Sequence, residues 1–432
     1  MAISRRKFLK NAGAVAAGVG LNPVFRATAS DHQIEWWNPH GNPDFMKAWD
    51  TLLGELKQET GIEVTNSIVG WGDIIPRATQ GKISNTLPDI CTSWQSATQI
   101  LGEMGALYDV TDTLAMIQQA GNTPNPSAVL ASTYQGTPHG IPRYSTVHGL
   151  TYRGDLLEQA GIDPPDYAYG WEEFVEVCER LNNPPDRYVL AGIGATFDAE
   201  KLIWNIMASN GATIIDADGN LIWESDETVE AYRYLSDIYR RFSPPGVSGY
   251  DLADANRAYI SGKAVMAAGD GDVNMDIEKS KPEWVASTGF MSSPVSKQPV
   301  AYGGGVHFAL PKAGNLETAS KFCEFMLRPD NLIRAIWPFR TLVVPATDTG
   351  ASSDLLKTDA TYQNWSNVLA QMGAVAQNTS GLAAYHGVTP AAGLIESSGI
   401  VRKVMEQILV NNVDPEKAVT DATSEIEDII RG

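Results

Sequence analysis

Short apolar runs of strand length alternate along this chain with segments of helical period. Gln33–Trp37, Ile62–Ile68 and Pro88–Ser93 read as strands. Between the first two, Phe45–Thr60 places Phe45, Trp49, Leu52, Leu53 and Leu56 on one helical face and stops at Gly61, which suits a left-handed helix end. A second set of elements begins after Gly140-Ile141-Pro142. Val147–Tyr152 predicts a strand, and Trp171–Leu181 a helix with Trp171, Phe174, Val175, Cys178 and Leu181 inward. Leu202–Asn210 and Thr228–Phe242 predict helices, and Asp216–Asn220 a turn between short strands. The pattern returns to a strand near Tyr302–Pro311 and to a helix over Leu316–Leu327, ended before Pro329. The tail from Ala391 to Gly432 predicts two helices, the second opened by Asp414-Pro415 with proline at the first helical position. Such alternation predicts an α/β protein with mostly parallel sheets flanked by helices.

The first 29 residues follow another logic. Ser4-Arg5-Arg6-Lys7-Phe8-Leu9-Lys10 has the form of a twin-arginine export signal. The uncharged run Asn11–Leu21 follows it, and Ala27-Thr28-Ala29 offers small residues for cleavage, so the mature chain is expected to begin at Ser30. The apolar run is shorter than the ~20 residues that span a bilayer. No cysteine lies near the cleavage site, so no lipid anchor is expected, and periplasmic localisation follows. Losing Arg5, Arg6, Lys7, Lys10 and Arg26 takes the formal charge from −19 to −24. A surface that acidic disfavours nucleic acid and anionic membrane as partners. The cysteines Cys91, Cys178 and Cys323 are odd in number and widely spaced, which predicts buried free thiols rather than a disulfide framework. About 400 mature residues exceed one hydrophobic core and call for two lobes, with a ligand cleft between them.

Cofactor and metal motifs are missing from the sequence. No His-x-x-x-His or Cys-x-x-Cys pair occurs, and Gly303-Gly-Gly305 lacks the Lys-Ser/Thr of a phosphate loop. Asp216-Ala-Asp-Gly-Asn220 starts like a calcium loop and has Glu227 at the twelfth position, but Leu221 stands where the sharp turn needs glycine. Asp270-Gly-Asp272-Val-Asn274 fails the same test, with Met275 and Lys281 at the sixth and twelfth positions. No catalytic residues, metal or cofactor are expected. What remains is a set of aromatic and polar residues where strands end, the place ligands bind in open α/β sheets. Trp37 and His40 follow the first strand, Trp71 sits in a Gly70-Trp71-Gly72 loop, Trp94 and Gln95 follow the third strand, and Arg143 and Tyr144 follow the Pro142 crossing. A sugar ring offers apolar C–H faces and hydroxyl edges, which flat aromatics beside amides and charges can match. Ordinary core packing is the competing explanation for any single tryptophan among eleven.

A resemblance runs through almost the whole mature chain. Its parts, in order, are Gly61-Ile-Glu-Val64, Leu87-Pro-Asp-Ile90, Gly105-Ala-Leu-Tyr-Asp-Val-Thr-Asp112, Leu150-Thr-Tyr-Arg-Gly-Asp-Leu-Leu157, Trp171-Glu-Glu-Phe174, Gly262-Lys-Ala-Val-Met266, Gly303-Gly-Gly305 and Asp414-Pro-Glu-Lys-Ala418. In this order they resemble the extracellular solute-binding proteins of carbohydrate ABC transporters, the group that includes maltose-binding protein. The resemblance implies the two-lobed periplasmic-binding-protein fold, with a hinge that closes on ligand. It implies one lobe from 30–141 plus 303–349 and the other from 142–302 plus 350–432. It implies a sugar or polyol ligand, membrane permease subunits as partners, and a monomer. It also implies Trp94 as a ring-stacking residue, Trp37, Trp204 and Gly303 at the cleft, and Asp270 and Asp272 where relatives often carry a stacking aromatic. Arg143 and Arg340 leave room for an anionic sugar. Two other classes stay open: a secreted carbohydrate-active enzyme using paired carboxylates, and a sugar sensor that docks a membrane receptor.

Overall fold

The computed structural model describes residues 32–216, 220–380 and 390–431. The export signal at 1–29 and the middle of the Asp216–Asn220 turn lie outside the described residues. Strands β1 (Gln33–Asn38), β2 (Glu63–Ile68) and β3 (Ile90–Trp94) form where the alternation places them. The helix between β1 and β2 runs Pro43–Thr60 and is capped by the Asn42 side chain, which accepts the Asp44 N–H. Its buried face is Phe45, Trp49, Leu52 and Leu56, and it closes at Gly61 with φ 76°. Cys91, Cys178 and Cys323 are free and buried.

Two mixed sheets organise the chain. Further strands are β4 (Gly140–Val147), β5 (Gly149–Arg153), β6 (Tyr188–Ala191), β7 (Ala264–Gly269), β8 (Thr288–Met291), β9 (Ala301–Ala309), β10 (Val344–Pro345) and β11 (Thr379–Ser380). The first sheet has the order β10-β4-β9-β3-β1-β2, with β11 also paired to β9; the second has the order β8-β5-β7-β6. Parallel pairing holds for β1 with β2 and β3, and for β6 with β7. β9 runs antiparallel to both β3 and β4, and β5 runs antiparallel to both β7 and β8. The expected mostly parallel arrangement is therefore confined to part of each sheet. A βαβ crossover returns the chain in the same direction, whereas a strand arriving from the other sheet enters from the opposite end.

The chain leaves the first sheet several residues later than the sequence suggests. β4 pairs with β9 from Gly140 opposite Ala309 to Val147 opposite Gly303, which keeps 142–147 in the first sheet, and Ala301 and Tyr302 of β9 pair with β11. One residue, His148, separates β4 from β5. Its N–H donates to the Tyr302 carbonyl at 2.8 Å. A Cβ at Gly149 would overlap the Met291 carbonyl oxygen and the Phe290 ring, so the entry to β5 requires glycine. The segment beyond 350 is also shared. Leu356, Trp365, Val368 and Met372 join the core that holds Trp36, Trp49 and Phe322. On the helix Ser366–Ala376, Gln371 accepts the Phe290 N–H at 2.8 Å and donates to the Tyr152 hydroxyl at 3.2 Å, both on the second sheet. The tail forms three helices rather than two, Pro390–Ser398, Ile400–Leu409 and Pro415–Arg431, because Gly399 takes φ 70° between the first pair. The last buries Ala418, Val419, Ala422 and Ile426, and the Val419 carbonyl accepts the Trp223 indole N–H at 2.9 Å.

Trp204 lies in the middle of the helix Phe197–Ser209 and is fully buried among Ile203, Ile206, Met207 and the other residues of the second core. Replacing it by alanine should lower folding stability by ~3–5 kcal/mol, the cost of deleting a buried aromatic. Denaturant titration of Trp204→Ala checks this; a midpoint unchanged from the parent would contradict the core placement.

Candidate functional site

The carboxyl ends of the parallel strands point a group of side chains at one place. His40 follows β1, Trp71 begins the helix Trp71–Ser84 after β2, and Trp94 ends β3 and starts the helix Gln95–Glu103. In the second sheet Phe197, Asp198 and Lys201 open the helix after β6, and Asp270 and Asp272 follow β7. Both sheets therefore bring their ligand-binding ends together. Trp71 is not in a loop. Gly72 and Pro76 are poor helix residues, yet Ile74, Ile75, Ala78 and Thr79 bury one face and hold the segment helical.

The contacts link the two sheets. His40 meets the Trp71 ring edge-on at 5.3 Å, and Trp71 meets Trp94 at 5.7 Å. The Trp94 indole N–H donates to Glu396 Oε1 at 3.3 Å, and the Ser96 hydroxyl donates to the other oxygen. The Tyr302 hydroxyl donates to the same Glu396 Oε1 at 2.8 Å. Lys201 Nζ lies 5.7 Å from the Tyr302 and Phe197 rings, and it is held by Asp198 at 2.8 Å and Asp270 at 2.9 Å. The Asp270 N–H donates to Asp272 Oδ2 at 3.2 Å. Both carboxylates act electrostatically on Tyr144, whose hydroxyl is 3.1 Å from His40 Nε2. This ring of side chains runs from the first sheet through the helix Pro390–Ser398 to the second sheet.

Burial sets the charge states. His40 is pushed down to about 3 by burial and by Arg143, and His148 down to about 4 mainly by burial, so both imidazoles are neutral at physiological pH. Burial, reinforced by Asp270, raises Asp272 to about 7. Burial also raises Glu396, against its hydrogen bonds from Ser96, Tyr302 and Trp94. For Lys201, burial opposes the charge but the attraction of Asp198 and Asp270 outweighs it, so it stays protonated. Glu200 is raised well above its ordinary value, first by burial and then by Glu396.

Of the residues expected from sequence, His40, Trp71, Trp94, Tyr144, Asp270 and Asp272 meet in this ring. Gln95 lies beside it, its side-chain oxygen near the backbone of Gly304. The others do not join. Trp37 packs with Val69, Ile74 and Leu101 in a satellite core, because alternation along β1 turns it to the outer face, where its N–H reaches Glu35 at 3.0 Å. Trp204 is core, as described above. Arg143 is 1 % exposed, with its guanidinium 4.3 Å from the Phe308 ring and 5.4 Å from Trp36. Arg340 pairs with Asp359 at 2.9 Å and lies over Trp337. Gly303 serves the β4–β9 ladder, where a Cβ would come 2.7 Å from the Thr146 carbonyl oxygen. Sequence reasoning missed Lys201, Asp198, Tyr302 and Glu396. The first two belong to the helix that carries Trp204, so the right element was identified but the wrong residue of it. Glu396 had no local signal at all. Among the described residues no three His, Cys, Asp or Glu side chains converge as a metal site, and no helix is long and apolar enough to cross a membrane.

Comparison with known proteins agrees with this architecture. The family model of the bacterial extracellular solute-binding protein matches residues 42–332. YcjN of Escherichia coli, a provisionally named ABC transporter periplasmic-binding protein, is 23% identical over 307 residues, 67% of each chain. A mannitol-binding protein of Pseudomonas aeruginosa is 26% identical over 174 residues, 39% of each chain. The maltose-bound structure of T. maritima MalE3 superposes with a TM-score of 0.76 at 19% identity, covering 92% of this chain and 99% of that one. At that identity the superposition speaks for the two-lobed fold. With two mixed sheets facing each other across the ring and the family model spanning more than half of the sequence, this chain belongs to the bacterial extracellular solute-binding proteins.

Proposed function

We propose that this protein is the periplasmic substrate-binding component of an ABC importer, which captures a sugar or polyol between its lobes and delivers it to membrane permease subunits. The observation that carries the reading is the group of His40, Trp71, Trp94, Glu396, Tyr302, Lys201 and Asp270, contributed by both sheets and the helix Pro390–Ser398. Indole faces suit sugar C–H surfaces, while carboxylate, ammonium and phenol groups suit hydroxyls. The mannitol relative and the maltose-bound neighbour support the same ligand class. In this reading the protein acts as a monomer, returns its ligand unchanged, and reaches the periplasm through the twin-arginine signal at its N-terminus.

Calorimetric titration with mannitol, maltose, lactose and ribitol tests the ligand class. At least one should bind saturably and raise the melting temperature, since a ligand of the folded state stabilises it. No binding by any of the four would count against it. Incubation with the binding ligand should yield no product; turnover that scales with protein would favour an enzyme.

Closure has its own readout. The ring draws on both sheets, so bound ligand should lower the radius of gyration in small-angle scattering. An identical radius with and without ligand would mean that the lobes do not move.

Trp94 is half-buried; it contacts Trp71 and Glu396 and packs against the edges of two small apolar clusters without being enclosed by either. Trp94→Ala should weaken binding by ~1–3 kcal/mol, the scale of burying a large apolar side chain, with little change in folding stability. A large stability loss with unchanged affinity in the folded fraction would remove Trp94 from the site. For export, changing Arg5 and Arg6 together to lysine should leave the precursor in the cytoplasm, as followed by fractionation and immunoblotting; a normal periplasmic yield would remove the twin-arginine assignment.

A further inference from the structure

Beside the ring lie a buried donor and a buried acceptor that no described residue satisfies. β5 and β7 pair antiparallel, with Gly149 opposite Gly269. Continuing that register by one residue places His148, at the crossing between the sheets, opposite Asp270 of the ring. Residues directly opposite in an antiparallel pair project to the same side, with Cβ atoms about 4.5–5.5 Å apart. The charges agree with this placement: burial pushes His148 down to about 4, against the opposing pull of Asp270.

Hydrogen bonding assigns the proton of the His148 ring. Its Nδ1 lies 3.4 Å from the Asn205 side-chain nitrogen. That amide is oriented by its oxygen, which accepts the Tyr302 N–H, and by its nitrogen, which donates to the His148 carbonyl at 3.3 Å and the Ser293 hydroxyl at 2.9 Å. An amide nitrogen only donates. A proton on Nδ1 would be aimed at another donor, so the neutral imidazole carries its proton on Nε2. Nε2 is buried and has no partner among the described residues. Asp270 gives Oδ2 to the Lys201 ammonium at 2.9 Å, and its Oδ1 is likewise buried without a partner. Leaving both groups dry is costly, and one atom that accepts and donates relieves both. A hydroxyl oxygen does so. A carbonyl or carboxylate oxygen has no proton for Asp270, and an ammonium has no lone pair for His148.

We propose that His148 is a ligand-contacting residue, and that its Nε2–H and Asp270 Oδ1 together hold one hydroxyl of the bound molecule. The proposal rests on the sugar-or-polyol reading above and deepens it. Selectivity then lies in a single hydroxyl position read from two sides at the crossing between the sheets. That contact fixes which way round the ligand lies, because no other orientation pairs both buried groups.

A cycle of ligand and protein changes tests this. Mannitol, maltose, lactose and ribitol are titrated calorimetrically, followed by the deoxy and deoxyfluoro analogues of each binder, one hydroxyl position at a time. In mannitol, whose two ends are equivalent, both equivalent hydroxyls are replaced together. With the parent protein one position should stand out, losing on the order of 100-fold when its hydroxyl becomes hydrogen, because two buried groups are left unpaired. In His148→Phe, which keeps a ring and removes the donor, that loss should shrink to about tenfold or less, while losses at other positions stay as they were. A purely structural role for His148 would weaken every analogue alike and leave the ratios unchanged. His148→Gln, whose amide nitrogen takes the place of Nε2, should restore the parent pattern. If His148→Phe does not fold, Asp270→Asn reads the contact from the other side. There Lys201 keeps the amide oxygen and the NH2 replaces Oδ1, so the fluoro analogue, which accepts but cannot donate, should bind about as tightly as the hydroxyl ligand. Ratios unmoved in the variants, or no position standing out in the parent, would overturn the proposal and leave the sugar-or-polyol reading standing. Binding by none of the four parent probes would remove that reading and the proposal with it.

Discussion

Asn205 holds together the place where the chain passes between its two sheets. It is fully buried on the helix Phe197–Ser209, and its side-chain oxygen accepts the Tyr302 N–H at the start of β9. Its amide donates to the His148 carbonyl at 3.3 Å and to the Ser293 hydroxyl at 2.9 Å. One buried amide thus ties β9 and the β4–β5 junction to the same helix. A buried polar group of this kind is stabilising only when its hydrogen bonds are made, so its geometry fixes where the sheets meet. Lys201 lies four residues earlier, on the same face of the helix. The residue that joins the lobes and the residue that charges the ring are positioned by one element.

The rest of the site follows from that junction. Tyr302 is held by its backbone to Asn205, and its hydroxyl reaches Glu396 on the helix Pro390–Ser398. Glu396 reaches Trp94 and Ser96 at the end of β3. The helix carrying Glu396 buries Ala392 and Ile395 in the second core, while Gly393 lies so close to Ile100 of the first lobe that a Cβ there would overlap it. Aromatic surface comes mostly from the first sheet and charge mostly from the second. Neither lobe alone supplies both.

Trp204 and Trp94 show how far a tryptophan can be interpreted from sequence. Trp94 ends a strand and Trp204 lies in the middle of a helix, and the resemblance placed both at the cleft. Trp94 caps a strand that ends at the ring; Trp204 sits three residues past Lys201 on the same helix and turns into the core. Three residues at about 100° each leave Lys201 and Trp204 only roughly 60° apart around the helix, so which of them faces the ring depends on how the second core covers that side.

Periodicity determined the elements. The helices Trp171–Leu181 and Leu316–Leu327 have the same limits in the sequence pattern and in the structure, and the first three strands agree to within two residues, because apolar spacing is local information. The sequence also determined the two-lobed α/β class and the strand ends after β1, β2 and β3 where His40, Trp71 and Trp94 come together. Tertiary structure alone decided the rest. It turned β9 antiparallel, moved the crossing to His148, and sent Arg143 and Arg340 away from the site. It also brought Glu396 to Trp94 across 302 residues of sequence. The reason is physical: a strand's existence depends on its own residues, but its direction, its neighbours and the charges it meets depend on chain segments hundreds of residues away.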